Sequence, residues 1–137
     1  MSSFQHQQSA HCESGVMASL LTHAGLPMSE PMAFGLASGL AFAYLPIVKL
    51  SGMPPKHLIK TLSKRLGAKL HTRTFGDPEQ GRRELDAALD SGRLAGLQSS
   101  VFWLPYFPPE MRFHFNAHNL LAYGREGNDY LISDPVF

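Results

Sequence analysis

Through the first two thirds of the chain, apolar residues recur at helical spacing. Val16, Met17, Leu20, Leu21 and Ala24 follow at steps of one, three and four. That spacing predicts a helix over residues 13–24, stopped by Gly25 with Pro27 beyond it. Ser29 followed by Pro31 predicts a second helix start, with Met32, Ala33, Leu36 and Ala37 facing inward and Gly39 at its end. Gly35 and Gly39 together predict a close backbone approach. Residues 40–48 read as a buried strand. Pro54-Pro55 opens a third helix, with Leu58, Ile59, Leu62 and Leu66 inward, Lys56, Lys60 and Lys64 on the solvated face, and Gly67 as its stop. Residues 68–75 alternate like a half-buried strand. Asp77-Pro78 then caps a fourth helix that buries Leu85, Ala88 and Leu89 and ends at Gly92.

From residue 93 the pattern changes. Residues 94–98 and 101–106 are largely apolar and aromatic, and Pro105, Pro108 and Pro109 punctuate a loop. Residues 113–123 read as a long strand and 129–133 as a shorter one. Helices first and strands last predict an α+β fold, with N-terminal helices packed on a C-terminal antiparallel sheet. Arg125-Glu126-Gly127 suits a three-residue hairpin loop with Gly127 left-handed. Counting outward in steps of two then pairs Ala122 with Tyr130, Leu120 with Ile132 and His118 with Asp134, all on one face.

Length and composition agree with one domain over residues 1–137 and a buried core. Formal net charge is +1, and no basic run marks a nucleic-acid partner. Cys12 is the single cysteine, so no intrachain disulfide forms, which fits a cytoplasmic protein. The polar N-terminus lacks the layout of a signal peptide. Residues 31–48 carry no charge over about a bilayer's span, but glycines, Ser38 and Pro46 interrupt them. They read as soluble-core elements, with no membrane partner.

Cys12 falls at a helix start, where unpaired N–H groups and the positive end of the dipole favour a thiolate. His118 paired with Asp134 would be fixed in tautomer and orientation. An early cysteine with a late histidine and aspartate is the order of a papain-like thiol site. Cys12 would be the nucleophile, His118 the base and Asp134 its orienting partner. Gln7 or Gln8 could donate to an oxyanion beside the Cys12 backbone N–H. His114, at the same strand parity as His118, is the second candidate base. His11 points away from Cys12, and His6, His23, His57 and His71 read as surface or core positions. Each residue also has a plainer reading: a lone cysteine is often a small buried hydrophobe, and a cross-strand His–Asp pair is often structural. Cys12, His114, His118 and Asp134 could ligate a metal, but they lack tight ligand spacing. No metal or cofactor is expected.

The segment His11-Cys12-Glu13-Ser14-Gly15, together with the block from Ser29-Glu30-Pro31 through Phe34-Gly35-Leu36 to Gly39, resembles the N-terminal domain of butirosin biosynthesis protein H. The tail from His118 through Tyr123-Gly124 to Asp134-Pro135 resembles that family and, more broadly, papain-like bacteriocin-processing peptidases. The resemblance implies an acyltransferase that moves an acyl or aminoacyl group from an acyl carrier protein thioester to a small-molecule amine. Cys12 would carry the acyl group, with His118 as base and Asp134 orienting it. The peptidases have a glutamine six residues before the cysteine; here that position is His6. The resemblance also implies that the chain is the N-terminal part of a longer protein. A cysteine peptidase or amidase of related fold, and a non-catalytic binding domain, remain open at this stage.

Overall fold

The structure, a computed structural model, describes residues 4–38, 40, 43–46, 50–52 and 56–137. Among the described residues four α-helices precede a three-stranded antiparallel sheet, so the fold is α+β. Helix α1 (Cys12–His23) begins one residue earlier than its apolar spacing predicts. His11 caps it, accepting the Ser14 N–H on Nδ1 at 3.3 Å. Gly25 ends it at φ 88, with Leu26 N–H bonded to Leu21 O and Gly25 N–H to Thr22 O. These two bonds satisfy the last carbonyls in the paired arrangement that a left-handed glycine allows.

Helix α2 (Glu30–Leu36) is capped by Ser29 and buries Ala33 and Ala37 completely. Met32, expected inward, is 56% exposed, because Ala33 and Ala37 hold the fully buried positions of the helix and Met32 turns to solvent. A Cβ on Gly35 would meet nothing within 4 Å, so no backbone approaches it closely among the described residues. Gly39 lies outside the described residues. The helix ends ahead of it, at Leu36, with Ala37 as its cap and Ser38 left-handed at φ 54. In place of one strand over residues 40–48, a short strand β1 (Ala43–Leu45) pairs with β2 (Leu50–Gly52). Leu40 is 91% exposed and belongs to neither strand. Pro46 forms a turn after β1, while residues 41, 42, 47 and 48 of that expected strand and Pro54-Pro55 lie outside the described residues.

Helix α3 (His57–Leu66) buries Leu58 and Leu62 and ends at Gly67, φ 63. Residues 68–75 form no strand, because no described strand supplies the ladder; burial alternates only from Ala68 to His71, and residues 71–74 are all exposed. Helix α4 (Pro78–Asp90) starts from the Asp77 cap and stops at Gly92, φ 77.

The sheet runs β3 (Ala95–Ser99), β4 (His118–Glu126), β5 (Asp129–Ser133), with β4 central. Residues 101–106 are not a strand. Ser100 accepts the Phe102 N–H and starts a 3₁₀ turn over Val101–Trp103, and Pro105 follows. Residues 113–117 are not strand either. Arg112 folds this loop on itself by donating to Phe107 O and Pro105 O, so β4 begins only at His118.

The two faces of the sheet meet different partners. A Cβ on Gly96 would lie 3.1 Å from Val16 and 3.3 Å from Leu20, so the face bearing Gly96 and its partner Leu121 packs on α1. Leu120 faces the other way, into a cluster with Val101, Leu104 and Phe107. Helix α1 is therefore covered by β3 and β4 on one side and by α2 and α3 on the other. This explains why Ser14, Gly15 and Ala18 are buried along with Val16, Met17 and Leu21; Leu20 is half-buried, and Ala24, at the helix end, is exposed.

The final hairpin differs from expectation. Its loop has two residues, Gly127-Asn128, with Gly127 at φ 60, so Glu126 pairs Asp129 and Arg125 pairs Tyr130. A left-handed glycine at the first loop position suits this tighter turn. Tyr123 is then an extra residue, a bulge, beyond which Ala122 pairs Ile132 and Leu121 pairs Ser133.

Candidate active site

Cys12 opens the first turn of α1 and is half-buried. Its turn is held from two sides. On one side, Ser14 is fully buried and donates from Oγ to Glu30 Oε1 at 2.7 Å, while the His11 ring meets Phe34 edge-on at 5.8 Å. The segment around Cys12 and the block from Ser29 to Phe34 are thus packed on each other. On the other side, Gly15 lets the chain's last turn approach. A Cβ there would fall 2.7 Å from Pro135 Cβ and 2.8 Å from Ser9. Ser9 N–H also bonds to Pro135 O at 2.5 Å. The residue after Asp134 is therefore fastened to the turn that carries Cys12.

His118 and Asp134 are both buried and hydrogen-bonded, Nε2 to Oδ2, at 2.5 Å. Their meeting survives the change of register. At the loop the pairing slips by three residues, and an odd slip alone would turn Asp134 to the opposite face. The bulge at Tyr123 takes back one residue, so the net slip beyond it is two. Continuing that register places Asp134 opposite Leu120, diagonal to His118 on the same face.

Asp134 also accepts the Tyr106 hydroxyl on Oδ2 at 2.8 Å and the Val136 N–H on Oδ1 at 3.2 Å. A carboxylate that receives these donors accepts from His118 as well, which puts the imidazole proton on Nε2 and leaves Nδ1 as the proton acceptor. Phe107 covers the His118 ring edge-on at 5.3 Å. Burial, and then the hydrogen bond to Asp134, push the Tyr106 hydroxyl far above its ordinary titration range. Tyr106 therefore remains a donor at any physiological pH.

The sulfur of Cys12 has a different partner. Asn119 Nδ2 donates to Sγ at 3.7 Å and also to Ala117 O at 3.0 Å. Adjacent strand residues point to opposite faces. Asn119 accordingly joins Leu121 on the α1 side, while His118 joins Leu120. Among the described residues, Sγ makes no hydrogen bond to His118. Beside Cys12, burial raises the Glu13 carboxyl above its ordinary range, against the lowering effect of His11, the Ile59 amide and His57.

The other candidates lie elsewhere. Gln7 and Gln8 are exposed and make no side-chain hydrogen bond among the described residues. His114 is not in β4. It is exposed and stacks on Phe102 with ring centres 4.1 Å apart, so strand parity does not apply to it. Among the described residues, no three of His, Cys, Asp and Glu cluster to hold a metal ion. Nor is any helix there long and apolar enough to cross a membrane.

Asn119, Tyr106 and His6 are the site residues that pattern reasoning missed. Asn119 follows His118 directly and is the one amide on the α1 face at the start of β4. Tyr106 lay in an expected strand. His6 sits 2.7 Å from the Ser133 hydroxyl and borders a cleft of about 380 Å³ with Phe4, Tyr106, Tyr123 and Asp134.

A family model for butirosin biosynthesis protein H, N-terminal, matches residues 11–135. The chain belongs to this family. The matched span begins at the His11 cap and ends at Pro135, so it contains Cys12, His118, Asn119 and Asp134. No curated protein and no solved structure matches the chain. As a member of the butirosin biosynthesis protein H family, the protein is related to biosynthesis of the butirosin type.

Proposed function

We propose that this domain is a thiol-dependent acyltransferase of papain-like design. It would move an acyl or aminoacyl group from a carrier-protein thioester to a small-molecule amine through a Cys12 acyl-enzyme. The observation that supports it is the contact of Cys12, at a helix start, with the side-chain amide of Asn119, whose preceding residue in β4 is the buried, carboxylate-bound His118.

In this reading Nδ1 of His118 removes the Cys12 thiol proton, and the thiolate attacks the thioester carbonyl. The tetrahedral oxyanion collapses, the C–S bond to the carrier breaks, and His118 returns the proton to the departing thiol. An amine then attacks the Cys12 thioester and gives a proton to His118. The C–S bond to Cys12 breaks as the amide forms, and that proton regenerates the thiol. Asp134 stabilises the imidazolium formed in each half and holds the ring, and Tyr106 holds Asp134. Among the described residues His118 lies on the opposite face of β4 from Sγ, so this reading requires the start of β4 to rearrange and bring Nδ1 to the sulfur in the substrate complex. Asn119 and the backbone N–H groups of the α1 start are the donors available to sulfur and oxyanion.

The test is a two-stage reaction followed by mass spectrometry. The protein is loaded with a short acyl-thioester, freed of donor, and divided between buffer and a primary amine. Transferase chemistry gives the amide in preference to the free acid. Free acid at the same rate with and without amine would instead identify a hydrolase, such as a cysteine peptidase or amidase.

A further inference from the structure

Charge is unevenly distributed along this chain. Between Pro31 and Gly76 there are seven of the 12 lysines and arginines and none of the 11 acidic residues. The folded chain concentrates part of this charge in a groove of about 580 Å³ along α3. Lys60 and Lys64, one turn apart on α3, line it with Lys56, the left-handed cap of the helix, and with Ile59, Leu70 and Thr72. Lys60 and Lys64 are about 6 Å apart along the axis at the helical rise. None of the three lysines makes an ion pair with a described residue, whereas the arginines of α4 are paired within their own helix and with its neighbours. The groove's wall is adjacent to the candidate site, since the Ile59 amide lies against the carboxylate of Glu13, the residue after Cys12.

From this arrangement we infer that the α3 groove is the docking surface for an acidic protein partner, namely the carrier protein that delivers the acyl-thioester to Cys12. The inference rests on the acyltransferase reading for the identity of the cargo. Three ammonium groups without an ion-pair partner among the described residues, side by side in one groove, match a helix that presents carboxylates along one face. The apolar side chains of Ile59 and Leu70 give that helix something to pack on. The groove has no aromatic side chain on which a base could stack and no arginine for bidentate phosphate recognition, so nucleic acid fits it less well. Such a surface acts mainly by steering and register, so binding through it weakens steeply with salt.

The experiment measures binding of a fluorescently labelled, acidic holo acyl carrier protein to the wild-type chain and to the triple variant Lys56→Glu/Lys60→Glu/Lys64→Glu. Unchanged iodoacetamide alkylation of Cys12 and an unchanged melting curve show that the variant is folded. The expected result is at least about tenfold weaker binding by the triple variant, and salt-dependent binding by the wild type. Equal binding by both proteins, no binding by the wild type, or tighter binding of a single-stranded oligonucleotide than of the carrier would overturn the inference. Loading of Cys12 separates the two proposals. Lysine-dependent carrier binding without acyl transfer to Cys12 would leave the docking surface standing and remove the acyltransferase. Acylation of the triple variant by the carrier thioester at the wild-type rate would do the reverse.

Discussion

The side-chain amide of Asn119 donates to the sulfur of Cys12, 3.7 Å away, from the strand position directly after His118. One strand start thus offers an amide to the thiol on one face and an imidazole to Asp134 on the other. If the thiolate and the first oxyanion both draw on this amide, Asn119→Ala removes one charge-assisted hydrogen bond of about 1.5–3 kcal/mol. The expected outcome is a fall in the acylation rate of Cys12 of roughly 10- to 100-fold, with a smaller effect on melting temperature. Stopped-flow or timed mass measurements of acyl loading check it.

Asp134 is the acceptor for three donors, from Tyr106, His118 and Val136. Asp134→Ala leaves all three without a partner in a buried place and is expected to cost about 3 kcal/mol or more in urea unfolding. Asp134→Asn preserves the shape but removes the charge that orients and supports the imidazolium. It is expected to fold, with acyl transfer reduced by about 10³- to 10⁴-fold. A fully active Asp134→Asn protein would mean that the pair is structural.

Two glycines predict opposite outcomes for the same substitution. Gly15→Ala forces a methyl to within 2.7 Å of Pro135 and 2.8 Å of Ser9, at the point where the chain's end is fastened to the Cys12 turn. It is expected to destabilise by about 1–3 kcal/mol and to reduce acyl loading as well. Gly35→Ala adds a methyl into open space within a helix and is expected to stabilise by up to about 1 kcal/mol. Thermal melts of the two variants side by side decide this.

Glu13 supplies a pH dependence. Its carboxyl is raised above 4.5 by burial, so the folded state prefers it protonated. The associated stability is present below the unfolded value near 4.5 and is lost as pH rises through the higher folded value. Glu13→Gln should therefore match the wild type at pH 4 and exceed it in stability at pH 7. Urea titrations at the two pH values test the sign. Tyr106 acts in the same direction at alkaline pH, because its hydroxyl is raised by burial and by Asp134. Stability should fall above about pH 10, the ordinary tyrosine value, and Tyr106→Phe should lessen that fall.

Much of this arrangement was legible in residue pattern, and the parts that were not have identifiable causes. Helix stops at Gly25, Gly67 and Gly92 are local backbone chemistry, and each glycine is left-handed as expected. Residues 68–75, 101–106 and 113–117 are not strands, because neither alternation nor apolar content in the sequence says whether a partner strand exists. The His118–Asp134 pair was expected from a three-residue loop. It forms instead through a two-residue loop and a bulge at Tyr123, which together preserve the parity that the pair requires. Asn119 escaped notice because a strand pattern says nothing of what lies across the face until α1 is in place. The α3 lysines were read as an ordinary solvated face, which local spacing alone supports. Their lack of ion-pair partners among the described residues is visible only in the fold.

The central claim is that Cys12 accepts an acyl group. Intact mass is measured after incubation with a short acyl-thioester, on the wild type and on Cys12→Ala. The account predicts a gain of one acyl group on the wild type and none on Cys12→Ala. No adduct on the wild type, or the same adduct on both proteins, would contradict it.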